Sequence, residues 1–162
     1  MTILRDAIHA DFDSIVKLNA IEEQQTSPMS LERLRLLDQL SSYNKVAEIE
    51  NEVAGFLLAM PVGVSYENEN YNWFGRRFPS FLYIDRIVVG AEFSGRGIGS
   101  GLYVDLFAFA RSHKIKAITC EYNINPLNLA SRAFHRNFGF KEVGNQWVAN
   151  GTKLVSLQSV ET

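Results

Sequence analysis

Apolar residues in this chain recur with two different periods, and the switches between them divide the sequence into short elements. Residues 2–8 predict a first strand. Asp11 or Asp13 can cap a helix whose Ile15, Leu18, Ala20 and Ile21 share a face. Ser27-Pro28 ends that pattern. Ser30 predicts the N-cap of a second helix through Leu31, Leu34, Leu37 and Leu40, with Glu32 in the first turn, where negative charge suits the helix dipole. Val46–Ile49 and Val53–Met60 predict a hairpin turning at Asn51. Tyr83–Val89 predicts the next strand. A helix from about Gly97 to Ser112 follows, with Ile98, Leu102, Leu106 and Phe109 on its buried face. Lys116–Tyr122 predicts a strand. Asn125-Pro126 then predicts the cap and first position of another helix, which ends before Gly139. Phe140–Val143 and Lys153–Leu157 predict the last strands. The order β-α-α-β-β-β-α-β-α-β-β is neither a simple doubly wound sheet nor a helix bundle.

One stretch resists both periods. Residues 61–80 read as irregular, with Pro61, Gly63, Gly75 and Pro79 among asparagines, yet they carry Tyr66, Tyr71, Trp73, Phe74 and Phe78. So many rings need something to pack on. Two readings stay open: a flap over a ligand or a dimer contact, and a loop covering one sheet edge.

Composition narrows the class without selecting a function. The 162 residues fit a single domain, 1–162, and 46% apolar with 21% charged residues is ordinary for a globular chain. The formal charge of −2 gives no bulk attraction to nucleic acid or to an anionic membrane. The single cysteine, Cys120, forms no internal disulfide and sits in an apolar run; it reads as a core residue of a cytoplasmic protein. No apolar run approaches the roughly 20 residues of a membrane span, and the start of the chain lacks a signal-peptide pattern. The histidines are scattered, with no Cys/His spacing for a metal; His9 and His113 read as surface residues.

The chemistry concentrates after Val89. A strand ends at Gly90, and Ser94-Gly95-Arg96-Gly97-Ile98-Gly99-Ser100 opens the next helix. Glycines allow close approach of the backbone, and the first amides of a helix lack internal acceptors, so this stretch predicts a cradle for a diphosphate. A Walker A loop requires Gly-Lys followed by Ser or Thr; Gly97 is followed by Ile98, and the loop has no lysine. A dinucleotide fold requires G-x-G-x-x-G directly after its strand. From Gly95 the sixth position is Ser100 and from Gly97 it is Leu102, so neither register fits. Glu121 stands near the place of a ribose-binding acid, but reads more simply as a solvent-facing residue at a strand end.

A third class of phosphate-bearing ligand is coenzyme A. Gly97 and Gly99 match the glycines, and Arg96 the usual basic residue between, in a stretch that resembles the Gln/Arg-x-x-Gly-x-Gly/Ala pattern of the GNAT N-acetyltransferases; Ser94 replaces the family's Gln or Arg. Asn128 through Phe140, ending Asn137-Phe138-Gly139-Phe140, resembles the family's next segment. The resemblance covers about Ile84 to Val143. It implies an α/β (α+β) fold with a mixed, mostly antiparallel sheet of about six or seven strands, about four flanking helices and a splay at the fourth strand.

The resemblance also implies roles. Ile87, Val88 and Val89 would bind the pantetheine arm through main-chain groups, and Ser94, Gly95, Arg96, Gly97, Ile98, Gly99 and Ser100 would surround the diphosphate. Arg96 reads equally as a solvated loop residue. Asn128, with Ser131, would meet the pantetheine amide. His135 stands where the family usually has a tyrosine that protonates the leaving thiolate; imidazole can donate or accept near neutral pH. Asp85 is the candidate base, with an ion pair to Arg86 as its structural alternative. Glu22, Glu23, Tyr83 and Trp73 are candidates for the acceptor pocket. The implied reaction is transfer of acetyl from acetyl-CoA to a primary amine of a small or amino-acid-like molecule by direct attack, without a metal. The alternative is an acyl-CoA-binding module without turnover. Pairing of an edge strand would give a homodimer.

Overall fold

The computed structural model describes residues 1–22, 26–125 and 127–162. The chain divides into two compact units, Met1–Pro61 with Ile84–Phe109, and Val62–Tyr83 with Ala110–Thr162. The strand order is β1-β2-β3-β4-β5-β7-β6, and β4 (Leu82–Val89) contributes to both units.

The first unit starts with β1 (Thr2–Asp6), antiparallel to β2 (Tyr43–Ile49), which in turn pairs with β3 (Glu52–Pro61). Glu50 and Asn51 join β2 to β3 at φ 49° and 68°. Two consecutive left-handed residues match the twist of a tight hairpin, which is why Asn serves here. Helices α1 (Phe12–Ile21), α2 (Leu31–Leu40) and the first three turns of α4 (Ile98–Ser112) belong to this unit. Ile15, Leu34, Leu37, Leu102 and Leu106 are fully buried, as their spacing predicts. Ser30 caps α2 by accepting from the Arg33 N–H at 3.0 Å. Asp11 does not cap α1 with its side chain. Its carboxylate accepts from the Ile8 N–H at 2.8 Å and from Arg5, whose guanidinium also reaches Glu48. The Arg5 partner holds the Asp11 carboxyl below its ordinary range.

The second unit contains the start of β4, α3 (Glu69–Gly75), β5 (Ala117–Asn125), α5 (Leu129–Asn137), β6 (Lys141–Val148) and β7 (Lys153–Glu161). β5 and β6 flank β7, both antiparallel to it, whereas β4 and β5 are parallel. The β4–β5 ladder comprises Leu82↔Ile118 and Tyr83↔Thr119 only, among the described residues.

Two sequence expectations are corrected here. Residues 61–80 are not irregular throughout, because Asn68 accepts from the Asn70 and Tyr71 N–H groups and starts α3. Five α-helices therefore stand among the described residues. The rings of this segment form a core: Tyr71 packs on Tyr66, Phe81 and Tyr83, and Phe74 packs on Phe78, Phe81 and Tyr83. The cap of α5 also moves. Asn125 remains in β5, and Asn128 accepts from the Ser131 N–H at 3.1 Å; Pro126 lies outside the described residues. Among the described residues no helix is long and apolar enough to cross a membrane.

Candidate active site

The first unit carries the glycine stretch. After β4, the Gly90 N–H donates to the Ala54 carbonyl at 2.8 Å, and a short 3-10 turn over Ala91–Phe93 leads to Ser94 in extended conformation. Gly95 and Gly97 have φ of 77° and 74°, the left-handed region that side chains disfavour. A Cβ at either would meet nothing within 4 Å, so the demand is for the backbone conformation and not for room inside the protein. The Gly101 N–H closes the first helical bond onto the Gly97 carbonyl at 2.9 Å. The amides of Ile98, Gly99 and Ser100 therefore precede the intrahelical ladder of α4. Ile98 is buried and anchors the turn, while Ser94, Gly95, Arg96, Gly97 and Ser100 are exposed. Arg96 lies 5.5 Å from the Phe93 ring centroid.

The main chain of the preceding strand is accessible at Asp85. The Asp85 side chain is only 2% exposed, yet the residue as a whole is half-buried, so the accessible surface there belongs to the backbone. Val88 is buried; Ile87 and Val89 are half-buried. The Asp85 carboxylate pairs with Arg86 at 2.7 Å, and that guanidinium also donates to Asn19 Oδ1 and the Ser27 carbonyl. This is the ion pair that the sequence left as the alternative to a general base. Glu22 caps the end of α1, with its N–H on the Leu18 carbonyl, and is half-buried. Glu23 lies outside the described residues.

The second unit holds the remaining candidates. His135 is 5% exposed, enclosed by Tyr122, Phe134 and Phe140. Its Nδ1 lies 2.6 Å from the Ser131 carbonyl, which only accepts, so Nδ1 carries the proton and Nε2 is the basic nitrogen of the neutral ring. Burial pushes the imidazole pKa below its ordinary value, and the Ser131 contact opposes this only in part. Asn128 and Ser131 form the cap of α5, and the Ser131 hydroxyl lies 3.2 Å from the same Nδ1. Trp73 covers Gly144 so closely that a Cβ there would clash with its ring, and Arg77 stacks on it at 4.0 Å.

Sequence reasoning missed a polar cluster in this unit. Glu121 is half-buried, not a solvent-facing strand end. The Tyr83 hydroxyl lies 2.6 Å from its Oε1 and 2.9 Å from its Oε2, and Asn70 Nδ2 donates to Oε1 at 3.0 Å. Gln146 Nε2 donates to Asn70 Oδ1 at 2.8 Å. The available signal was period two: Thr119 and Glu121 share a face of β5, and Tyr83 pairs with Thr119. Neighbouring Cys120 is fully buried, and burial pushes its thiol pKa well up, as expected for a core residue. Among the described residues no group of three or more His, Cys, Asp or Glu could hold a metal.

Comparison with known proteins decides the family. The model of the Acetyltransferase (GNAT) family matches residues 7–140. The chain belongs to the GNAT acetyltransferases. Solved structures show the same fold. Ard1 from Thermoplasma volcanium superposes with a TM-score of 0.79 at 13% identity, covering 99% of this chain and 97% of that one. A ribosomal-protein-alanine N-acetyltransferase from Brucella melitensis gives 0.74 at 23% identity, with 99% of both chains covered. yncA, a putative acetyltransferase from Salmonella typhimurium solved with its cofactor acetyl-CoA, gives 0.73 at 16% identity, with 99% and 94% covered. No curated protein matches the sequence. As a GNAT enzyme the protein is an acyltransferase that uses acetyl-CoA. The residues present fit that donor: left-handed glycines clear of side chains, and α4 amides ahead of the helical ladder, suit a diphosphate.

Proposed function

We propose that this GNAT enzyme acetylates a primary amine of a small or amino-acid-like molecule, as one domain over residues 1–162. The observation that carries the reading is the turn at Gly95–Ser100, which opens α4 after a strand whose main chain is accessible at Asp85. Acetyl-CoA supplies an acyl group already activated as a thioester. The chain's own residues do the rest. Amides of Gly95–Ser100 bind the diphosphate, with Arg96 adding charge, and main-chain groups of Ile87–Val89 orient the pantetheine arm. Asn128 holds α5 in place through its cap beside that role.

For the amine, the half-buried Glu121 is the better carboxylate than Asp85. Asp85 is paired with a buried Arg86, whereas Glu121 accepts from Tyr83 and Asn70 and presents a carboxylate of the kind that attracts an ammonium and takes its proton. Tyr83 and the rings of α3 give the surroundings apolar walls, which suit a compact acceptor. His135, neutral with Nδ1–H on Ser131, is suited to accept a proton at Nε2 and poorly suited to protonate a thiolate.

The test is release of free thiol from acetyl-CoA across a panel of small amines, amino acids and short peptides with free N-termini. At least one acceptor class is expected to stimulate release, and Glu121→Gln to abolish most of that stimulation. If no acceptor stimulates release while acetyl-CoA still protects the fold from heat, the protein is a binding module instead.

A further inference from the structure

We propose that Gln146 and Asn70 form a relay that positions Glu121 and keeps its carboxylate charged, making both positioning residues for the reaction although neither sits on β5. The inference rests on the reading of Glu121 as the amine-facing carboxylate. A primary carboxamide presents a donor at one end and an acceptor at the other, and a half-turn exchanges them. Asn70 is 8% exposed, so water does not readily replace either partner. Gln146 Nε2 donates to Asn70 Oδ1 at 2.8 Å, which forces the opposite end, Nδ2, toward Glu121 Oε1 at 3.0 Å. The backbone beneath is fixed too, because the Asn70 N–H donates to the capping Asn68. Gln146 thus selects which end of the Asn70 amide Glu121 sees.

Donors to a carboxylate favour its ionised form, and an acceptor facing it favours the protonated form. Titratable and polar groups stand around Glu121 on several elements. Tyr83 faces it from β4 and donates to it. Cys120 and Tyr122 adjoin it on β5, and Cys120 is fully buried with its thiol pKa raised well up. From α3 the facing side chain is the neutral Asn70, with Glu69 exposed beside it. From β6 the relay brings the neutral Gln146, while Glu142 is engaged by Ser156; Leu157 is opposite on β7.

Gln146→Glu tests the relay. An acceptor at 146 turns the Asn70 amide over, presents Oδ1 to Glu121 and makes its carboxylate hold a proton to higher pH. The carboxyl carbon of Glu121 is followed by NMR titration of the free protein, assigned with Glu121→Gln, and the acid limb of kcat/KM is measured alongside. Gln146→Glu is expected to raise the proton affinity of Glu121 about tenfold, one pH unit. In an Asn70→Ala background the same change should lose most of that effect, because the coupling runs through Asn70. Should Gln146→Glu not fold, Gln146→Met removes the donor to Asn70 without placing a carboxylate there and is expected to give a smaller shift of the same sign. An absent shift, or one of equal size without Asn70, overturns the relay. A shift in the NMR titration with no matching movement of the acid limb leaves the relay standing and removes Glu121 from the amine.

Discussion

At the residue scale, His135 has the most specific consequence. Its ring is buried among three aromatic side chains, and desolvation lowers its pKa from the ordinary 6.5. The unfolded chain therefore binds a proton at a higher pH than the folded one does. Stability from this group is complete above about pH 6.5 and falls as pH drops from there toward the lowered folded value. His135→Gln removes that slope. Urea midpoints for wild type and variant between about pH 8 and 5 should converge as pH falls. A constant gap between the two curves would refute the burial argument. The motif made the position of His135 legible. Its environment was not legible, because helical spacing names a face and not the rings that close over it. Asp85 shows the same limit: the sequence could place Arg86 nearby, but not the Asn19 and Ser27 partners that complete the buried pair.

At the scale of elements, close approach between strands matters most. A Cβ on Gly55 in β3 would lie 2.8 Å from the Val88 carbonyl oxygen and 3.4 Å from the Val89 Cα, both backbone atoms, which cannot swing aside as a flexible side-chain end can. Gly55→Ala must push β4 outward at the residues proposed to orient the pantetheine arm. Overpacking of this kind costs about 1–3 kcal/mol. The expected outcome is a lower Tm together with a several-fold rise in KM for acetyl-CoA and a much smaller change in kcat. A fall in Tm with unchanged KM would separate the strand's packing from cofactor binding. Long elements were legible because α2 and α4 repeat their apolar face several times. Helix α3 was not, since seven residues give too few repeats to show a period, and its start depends on Asn68 acting as a cap. In sequence, Asn125 followed by Pro126 reads as the cap. The β5–β7 ladder, which continues to Asn125↔Leu154, keeps Asn125 in the strand and leaves the cap to Asn128.

For the whole molecule, binding of the donor should raise stability by mass action. Acetyl-CoA at about a hundred times its Kd adds about 2.7 kcal/mol. For a chain of this size that is a rise in Tm of about 5–11 °C, at about 2–4 °C per kcal/mol. Differential scanning calorimetry with acetyl-CoA and with NAD should show the rise for the first alone. An equal rise with NAD would contradict the exclusion of a dinucleotide register in the glycine loop.

What the sequence determined by itself was local and periodic: the order of the long elements, the glycine turn that opens α4, the buried cysteine, and the two motifs that carry the family. These depend on neighbours three to six positions away, so a single chain displays them. The tertiary structure alone decided which polar side chains meet. Tyr83, Glu121, Asn70 and Gln146 come from four different elements, and their hydrogen bonds exist only because strand pairing and the packing of α3 bring distant positions within 3 Å of one another.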